Sequence, residues 1–265
     1  MSKTKKELAF LRDLYISSDW TERFTESAEK QLKLPKKGKF LYVNSGAGNH
    51  ALGLREKLKS EVEMTAVSDD KELHKISQAK AAAVKADIDF QLSTDVPKNR
   101  FDAILADAMF VSPKNLAEFF SKTVEAAKSD ADVLFFLPTT GSFGEIFSLL
   151  WEVLFNADLA QRGGEVEKLI SEIPTVSDVE EIAVHAGLKS IETTTKSEIF
   201  EYDTGAEFIG SPLVTDFLLP VWLDFLSEKE KKQVIKNLAK IIDSEREGLT
   251  FRFSVKAAFI SGEKI

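Results

Sequence analysis

Between Phe40 and Leu137, short apolar runs alternate with amphipathic stretches, and no other feature of this sequence narrows the possible folds as far. The runs Phe40–Val43, Val62–Val67, Ile88–Leu92, Phe101–Ala106 and Val133–Leu137 are of strand length. The first lacks polar alternation, as expected of a parallel strand covered on both faces. Between the runs lie helical patterns. Asp70 stands as an N-cap before Leu73, Ile76, Ala79 and Ala83 on one face. Ser112-Pro113 opens another helix through Leu116, Phe119, Phe120 and Val124, because proline's missing amide is harmless in a first turn. Strands and helices in alternation require right-handed crossovers and a parallel sheet, whose ligands sit at the carboxyl ends of the strands.

The carboxyl end of the first run continues as Asn44-Ser45-Gly46-Ala47-Gly48-Asn49-His50-Ala51. Gly46 and Gly48 permit positive φ and close approach of a ligand to the backbone. The helix expected from about Asn49 to Leu58 directs its unpaired amides to the same place. A phosphate- or nucleotide-type ligand suits such a turn. The residues from Gly46 to Ala51 also read G-x-G-x-x-A, with Asp69 about twenty residues on, which nearly completes a dinucleotide fingerprint. A nicotinamide-dependent oxidoreductase is therefore one reading.

Two helices are expected ahead of the sheet: Leu8, Phe10, Leu11, Leu14 and Tyr15 in the first, Trp20, Phe24 and Ala28 in the second, with Asp19 as its cap. Beyond Pro138, the pairs Ser142/Glu145, Ser177/Glu180 and Ser227/Glu230 have capping-box spacing and predict three helix starts. Leu188–Tyr202 reads as a long strand, and Pro212–Leu226 as an apolar helix kinked at Pro220. Phe251, Phe253 and Val255 alternate with Arg252, Ser254 and Lys256 in an edge-strand pattern. Phe143, Phe147, Trp151 and Phe155 recur at helical spacing, which favours core over pocket. His50, near the presumed pocket, reads as a catalytic base or, more simply, a first-turn surface residue; His74 and His185 read as helix surface positions, and no clustered spacing supports a metal.

The bulk properties set outer limits. With 265 residues and 43% hydrophobic content, one domain is expected: leading helices 1–38, a nucleotide-binding half 39–137, a helical lid 138–226, and a last helix and strand 227–265. A net charge of −8 argues against nucleic-acid partners and leaves a small molecule as the ligand class. Cysteine is absent, which excludes disulfides, thiolate chemistry and Cys-ligated zinc. No leader pattern or membrane-length apolar run is seen, so a soluble, cytoplasmic protein is expected, with no membrane partner.

The order of elements resembles that of the class I S-adenosylmethionine-dependent methyltransferases, over about Lys39 to Lys264. The residues that carry the resemblance are VNSGAGNH at the glycine turn, VSDDKELHKI after the second strand, VPKNRFDAILADAMF across the fourth, and AAFISGEK in the last. The resemblance implies an α/β fold, a Rossmann-like three-layer sandwich. Its mostly parallel seven-stranded sheet would have an antiparallel terminal strand beside the fifth, with N-terminal helices and a helical lid. It implies S-adenosylmethionine as cofactor, held by Asn44, Gly46, Ala47, Gly48, Ser68, Asp69, Leu92 and Ser93. It also implies Asp107 beside the transferred methyl as a possible base, and Tyr15, Trp20 and Phe143 around a small apolar or aromatic acceptor.

Departures from the family pattern fall on the cofactor residues. Asn44 stands where an acid usually closes the first strand, His50 where a third glycine is common, Ser68 at the ribose acid and Leu92 at the adenine acid. Three lost charge-assisted bonds would weaken binding by about a hundredfold or more. A degenerate member that keeps the fold without methyl transfer, and binds another ligand or a protein partner, is the alternative implied.

Overall fold

The computed structural model describes residues 3–92, 96–245 and 250–265. Its strands are β1 (Gly38–Val43), β2 (Val62–Ser68), β3 (Asp89–Leu92), β4 (Phe101–Asp107), β5 (Ala127–Pro138), β6 (Leu188–Tyr202) and β7 (Phe251–Lys264). They form one seven-stranded sheet in the order β3-β2-β1-β4-β5-β7-β6. The five strands β1 to β5 pair in parallel. β7 runs against β5: the Thr139 amide donates to the Lys256 carbonyl at one end, and the Lys264 ammonium to the Ala127 carbonyl at the other. The α/β class and the reversed last strand expected from the sequence are thus present.

One expectation needs correcting. β7 is not an edge strand but lies between β5 and β6. The alternation that suggested an edge covers only its first half; Ala257, Ala258, Phe259 and Ile260 are buried in succession, as in a strand covered on both faces.

The helices are α1 (Lys5–Leu11), α2 (Glu22–Gln31), α3 (Asn49–Lys57), α4 (Lys71–Val84), α5 (Leu116–Ala126), α6 (Gly144–Asn156), α7 (Gly163–Glu172), α8 (Val176–His185), α9 (Gly205–Gly210), α10 (Leu219–Trp222) and α11 (Glu228–Glu245). A π-helical stretch, Arg12–Thr21, joins α1 to α2 without a break. Asp19 therefore lies inside a helix and caps nothing, contrary to its sequence reading, because helical φ and ψ persist through Thr21. No described helix is long and apolar enough to cross a membrane.

The chain divides into two compact units. The first comprises Met1–Leu137, Thr175–Lys196 and Ala258–Ile265. Its core joins Leu41, Ile104, Phe120, Phe135, Val179 and Ile260, with Phe120 stacked on Phe135 at a centroid distance of 3.7 Å. Asp70 caps α4 as its position predicts, its carboxylate accepting from the amides of Glu72 and Leu73.

The second unit comprises Pro138–Pro174 and Ser197–Ala257. Phe253 is at its centre, stacked on Phe200 at 4.9 Å and surrounded by Phe143, Tyr202 and Phe208. Of the aromatic series, Phe143 and Phe147 are core here, whereas Trp151 is half-buried and Phe155 is exposed. Ser227 and Glu230 form their capping box. The other two do not form as predicted. Ser142 donates to the Thr139 carbonyl and accepts from the Lys256 amide, while Glu145 binds Ser254, so both side chains serve contacts with β7. The box before α8, in the first unit, is Thr175/Asp178, two residues ahead of Ser177.

Candidate ligand-binding site

The register Val43↔Ala106 between β1 and β4 brings Asn44 and Asp107 out of the sheet side by side. Asn44 has φ 58, a left-handed conformation that asparagine tolerates better than most residues. Its Nδ2 donates to the Asp107 carbonyl oxygen at 2.9 Å. A carboxylate has no N–H to make this bond, so the amide that departs from the family pattern does structural work an acid could not.

The turn that follows uses its two glycines differently. A Cβ on Gly48 (φ 85) would approach Ser77 Cβ at 2.8 Å and the Phe90 ring at 3.0 Å. A Cβ on Gly46 (φ 59) would meet nothing within 4 Å. Gly48 is thus fixed by packing beneath the turn, whereas Gly46 presents bare backbone to open space.

That space is a cavity of about 530 Å³ at the carboxyl ends of β1, β2 and β4. Its volume lies in the range of small-molecule and cofactor sites. Asn44, Gly46, Ser68, Asp69 and Asp107 supply polar groups, Val96, Val111 and Phe119 an apolar wall, and Arg12 a cation from the leading helix. A side hollow of about 20 Å³ shares Arg12, Asn44, Gly46 and Asp107 and also touches Ala47. That is room for about one water.

The carboxylates of the cavity differ in state. Asp69 is exposed at the rim and makes no hydrogen bond or ion pair among the described residues. Ser68 is buried and its hydroxyl accepts from the Asp70 amide at 3.3 Å. Asp107 is 6% exposed and takes one bond, from the Met109 amide, at 2.8 Å. Burial pushes its pKa up to about 6, with the Met109 amide and the Arg12 charge pulling the other way. The Arg12 guanidinium lies over the Phe110 ring, 5.1 Å from its centroid. Arg12 was not legible as a site residue. The available signal is a cation placed three residues after Ala9 and four before Ile16, both buried on the same helical face.

Other sequence candidates lie elsewhere. Trp20 is buried and absent from the cavity lining, its ring 5.5 Å from that of Phe110. Tyr15 is exposed and Phe143 belongs to the aromatic core of the second unit; neither lines the cavity. Leu92, at the end of β3, is 36% exposed and is also absent from the lining. Ser93 lies outside the described residues.

His50 is a correction, being neither a surface residue nor a cavity base. Its Nδ1 is 2.9 Å from the Tyr42 hydroxyl and its Nε2 3.1 Å from Glu29. Burial lowers its pKa to about 4, against the pull of Glu29, so the ring is neutral at pH 7. Nε2–H then donates to the Glu29 carboxylate and Nδ1 accepts from Tyr42, tying β1 and α3 to α2.

No family model matches this sequence, and no curated protein does. Solved structures do match. YcgJ of Bacillus subtilis is 15% identical, with 92% of this chain and 98% of that chain covered, at a TM-score of 0.58. A phosphoethanolamine N-methyltransferase of Haemonchus contortus, solved with S-adenosyl-L-methionine, is 13% identical over 99% of this chain and 58% of that one, at 0.57. The [4+2]-cyclase SpnF is 11% identical over 100% and 98%, at 0.54. These likenesses show the fold, which is that of the class I S-adenosylmethionine-dependent methyltransferases.

Proposed function

We propose that the cavity holds S-adenosylmethionine and that the chain transfers the sulfonium methyl to a small, apolar or aromatic acceptor. The observation that carries this reading is the 530 Å³ cavity beside the open face of Gly46, at the carboxyl ends of β1, β2 and β4. The residues present fit the cofactor. Gly46 offers backbone to its amino-acid end, Asp69 has an uncommitted carboxylate for ribose hydroxyls, and Val96, Val111 and Phe119 form an apolar wall for adenine.

The cofactor when bound supplies an electrophilic methyl. The chain's own part is to hold it, exclude water and align the acceptor, which needs little side-chain chemistry. Phe110 at the cavity favours an apolar or aromatic acceptor.

Two other readings arise from the sequence. The nicotinamide reading expects a doubly wound sheet of two mononucleotide-binding halves, and the reversed β7 between β5 and β6 does not fit it. A chain that binds without transferring methyl is favoured by Asn44, Ser68 and Leu92 in place of acids. SpnF, a cyclase by its name, has the same fold, so fold alone does not decide the reaction.

Calorimetric titration with S-adenosylmethionine, S-adenosylhomocysteine and the nicotinamide dinucleotides tests the cofactor. Saturable binding of the first two, in the micromolar range, is expected; silence to both overturns the proposal. Transfer of labelled methyl to a panel of small aromatic acceptors then separates enzyme from binder.

A further inference from the structure

We infer that the site selects ligands carrying a zwitterionic amino-acid end, with Asp107 taking the α-ammonium and Arg12 the α-carboxylate. This rests on the S-adenosylmethionine reading and assigns the charges that the family pattern leads one to seek on β1 to two other elements. Asn44 cannot supply an anion, and its Nδ2 is committed to the Asp107 carbonyl. The strand pairing places a carboxylate next to it, one strand over, on β4.

The state of Asp107 points to a cationic ligand group. A carboxylate accepts at about four lone-pair sites, and this one receives a single amide bond while buried against the cavity. A buried carboxylate with a single amide bond has acceptor sites left for the N–H groups of a ligand cation. The guanidinium of Arg12 lies over Phe110, and its five N–H groups have no hydrogen bond or ion pair among the described residues. A planar fork with open donors matches a carboxylate in bidentate fashion. Arg12 and Asp107 both line the main cavity and the side hollow, so the two charges face the same end of the ligand. A phosphate there would meet the Asp107 carboxylate, which disfavours nucleotides.

The assignment makes Asp107 a binding residue. A carboxylate bonded to an ammonium is not available as a general base for the acceptor.

The test compares S-adenosylhomocysteine with 5′-methylthioadenosine, which keeps the adenosine and thioether but lacks the amino-acid end, by calorimetry on the full chain. The unaltered chain should bind the first at least about tenfold more tightly. Asp107→Asn and Arg12→Gln should each weaken it by about ten- to a hundredfold and leave 5′-methylthioadenosine within about twofold, which also shows that the variants fold. Arg12→Lys should recover part of the loss. Equal affinity of the unaltered chain for both ligands overturns the inference and leaves the cofactor reading standing. So does an equal loss for both ligands in the variants, or an Asp107→Asn variant that loses turnover with S-adenosylhomocysteine affinity unchanged. Binding of neither ligand overturns the inference and the cofactor reading together.

Discussion

Around Phe253, rings satisfy one another: Phe200 stacks at an interplanar angle of 9°, and Phe143, Tyr202 and Phe208 close the other sides. At the ends of β1 and β4 the reverse holds. Asn44 is held at positive φ, Asp107 is buried with one hydrogen bond, and Arg12 keeps its donors open. The first region is phenylalanine-rich, its Tyr202 hydroxyl meeting Ser211, and it gains from dispersion and area burial. The second leaves polar groups short of partners, which lowers stability and leaves room for a ligand to supply them. The difference separates what keeps this chain folded from what it can bind.

The largest effect should come from the aromatic region. Phe253 is fully buried, and Phe253→Ala should cost about 3–5 kcal/mol by urea denaturation. A loss under about 1 kcal/mol would mean that the rings are not the core of their unit.

Asp107→Asn should show the opposite sign and depend on pH. Asp107 has a folded pKa of about 6 against an ordinary 3.8, so the folded chain binds a proton that the unfolded chain has released over that window. Its stabilising neutral form is present near pH 4 and is lost as pH rises through 6, a change of roughly 2–3 kcal/mol. Arg12 is the charge acting on it, in the direction that opposes burial. Melting temperatures taken from pH 4.5 to 7.5 without ligand should therefore show the variant gaining on the unaltered chain as pH rises. A constant difference would mean that the carboxyl is not strained by burial.

Asn44→Asp is the smallest change. It makes the turn look more like the family, yet it removes the donor to the Asp107 carbonyl and sets a second carboxylate beside the first. A loss of about 1–2 kcal/mol is expected by denaturation. A gain would show that the Asn44 bond matters little to the joint between β1 and β4.

Much of the framework was legible because it follows from local spacing. The apolar runs at Phe40, Val62, Phe101 and Val133 all become strands, Asp70 caps α4, and Ser112-Pro113 opens a short turn of 3₁₀ helix that leads into α5. The glycine turn was legible too, since Gly46 and Gly48 do take positive φ. What failed were readings that needed a distant partner. Ser142 and Glu145 have capping-box spacing, but both side chains bind residues of β7, more than a hundred positions away. His50 looks like a first-turn surface residue until α2 brings Glu29 against it.

By itself, then, the sequence determined the alternating elements, the parallel half of the sheet and the place of the turn, because hydrophobic period, caps and glycine conformations act over a few residues. Tertiary structure alone decided that β7 is interior and that Arg12 from the leading helix faces Asp107's end of the cavity. Those facts depend on which elements exclude water from one another, and on a low-dielectric enclosure that exists only once segments far apart in the chain have packed.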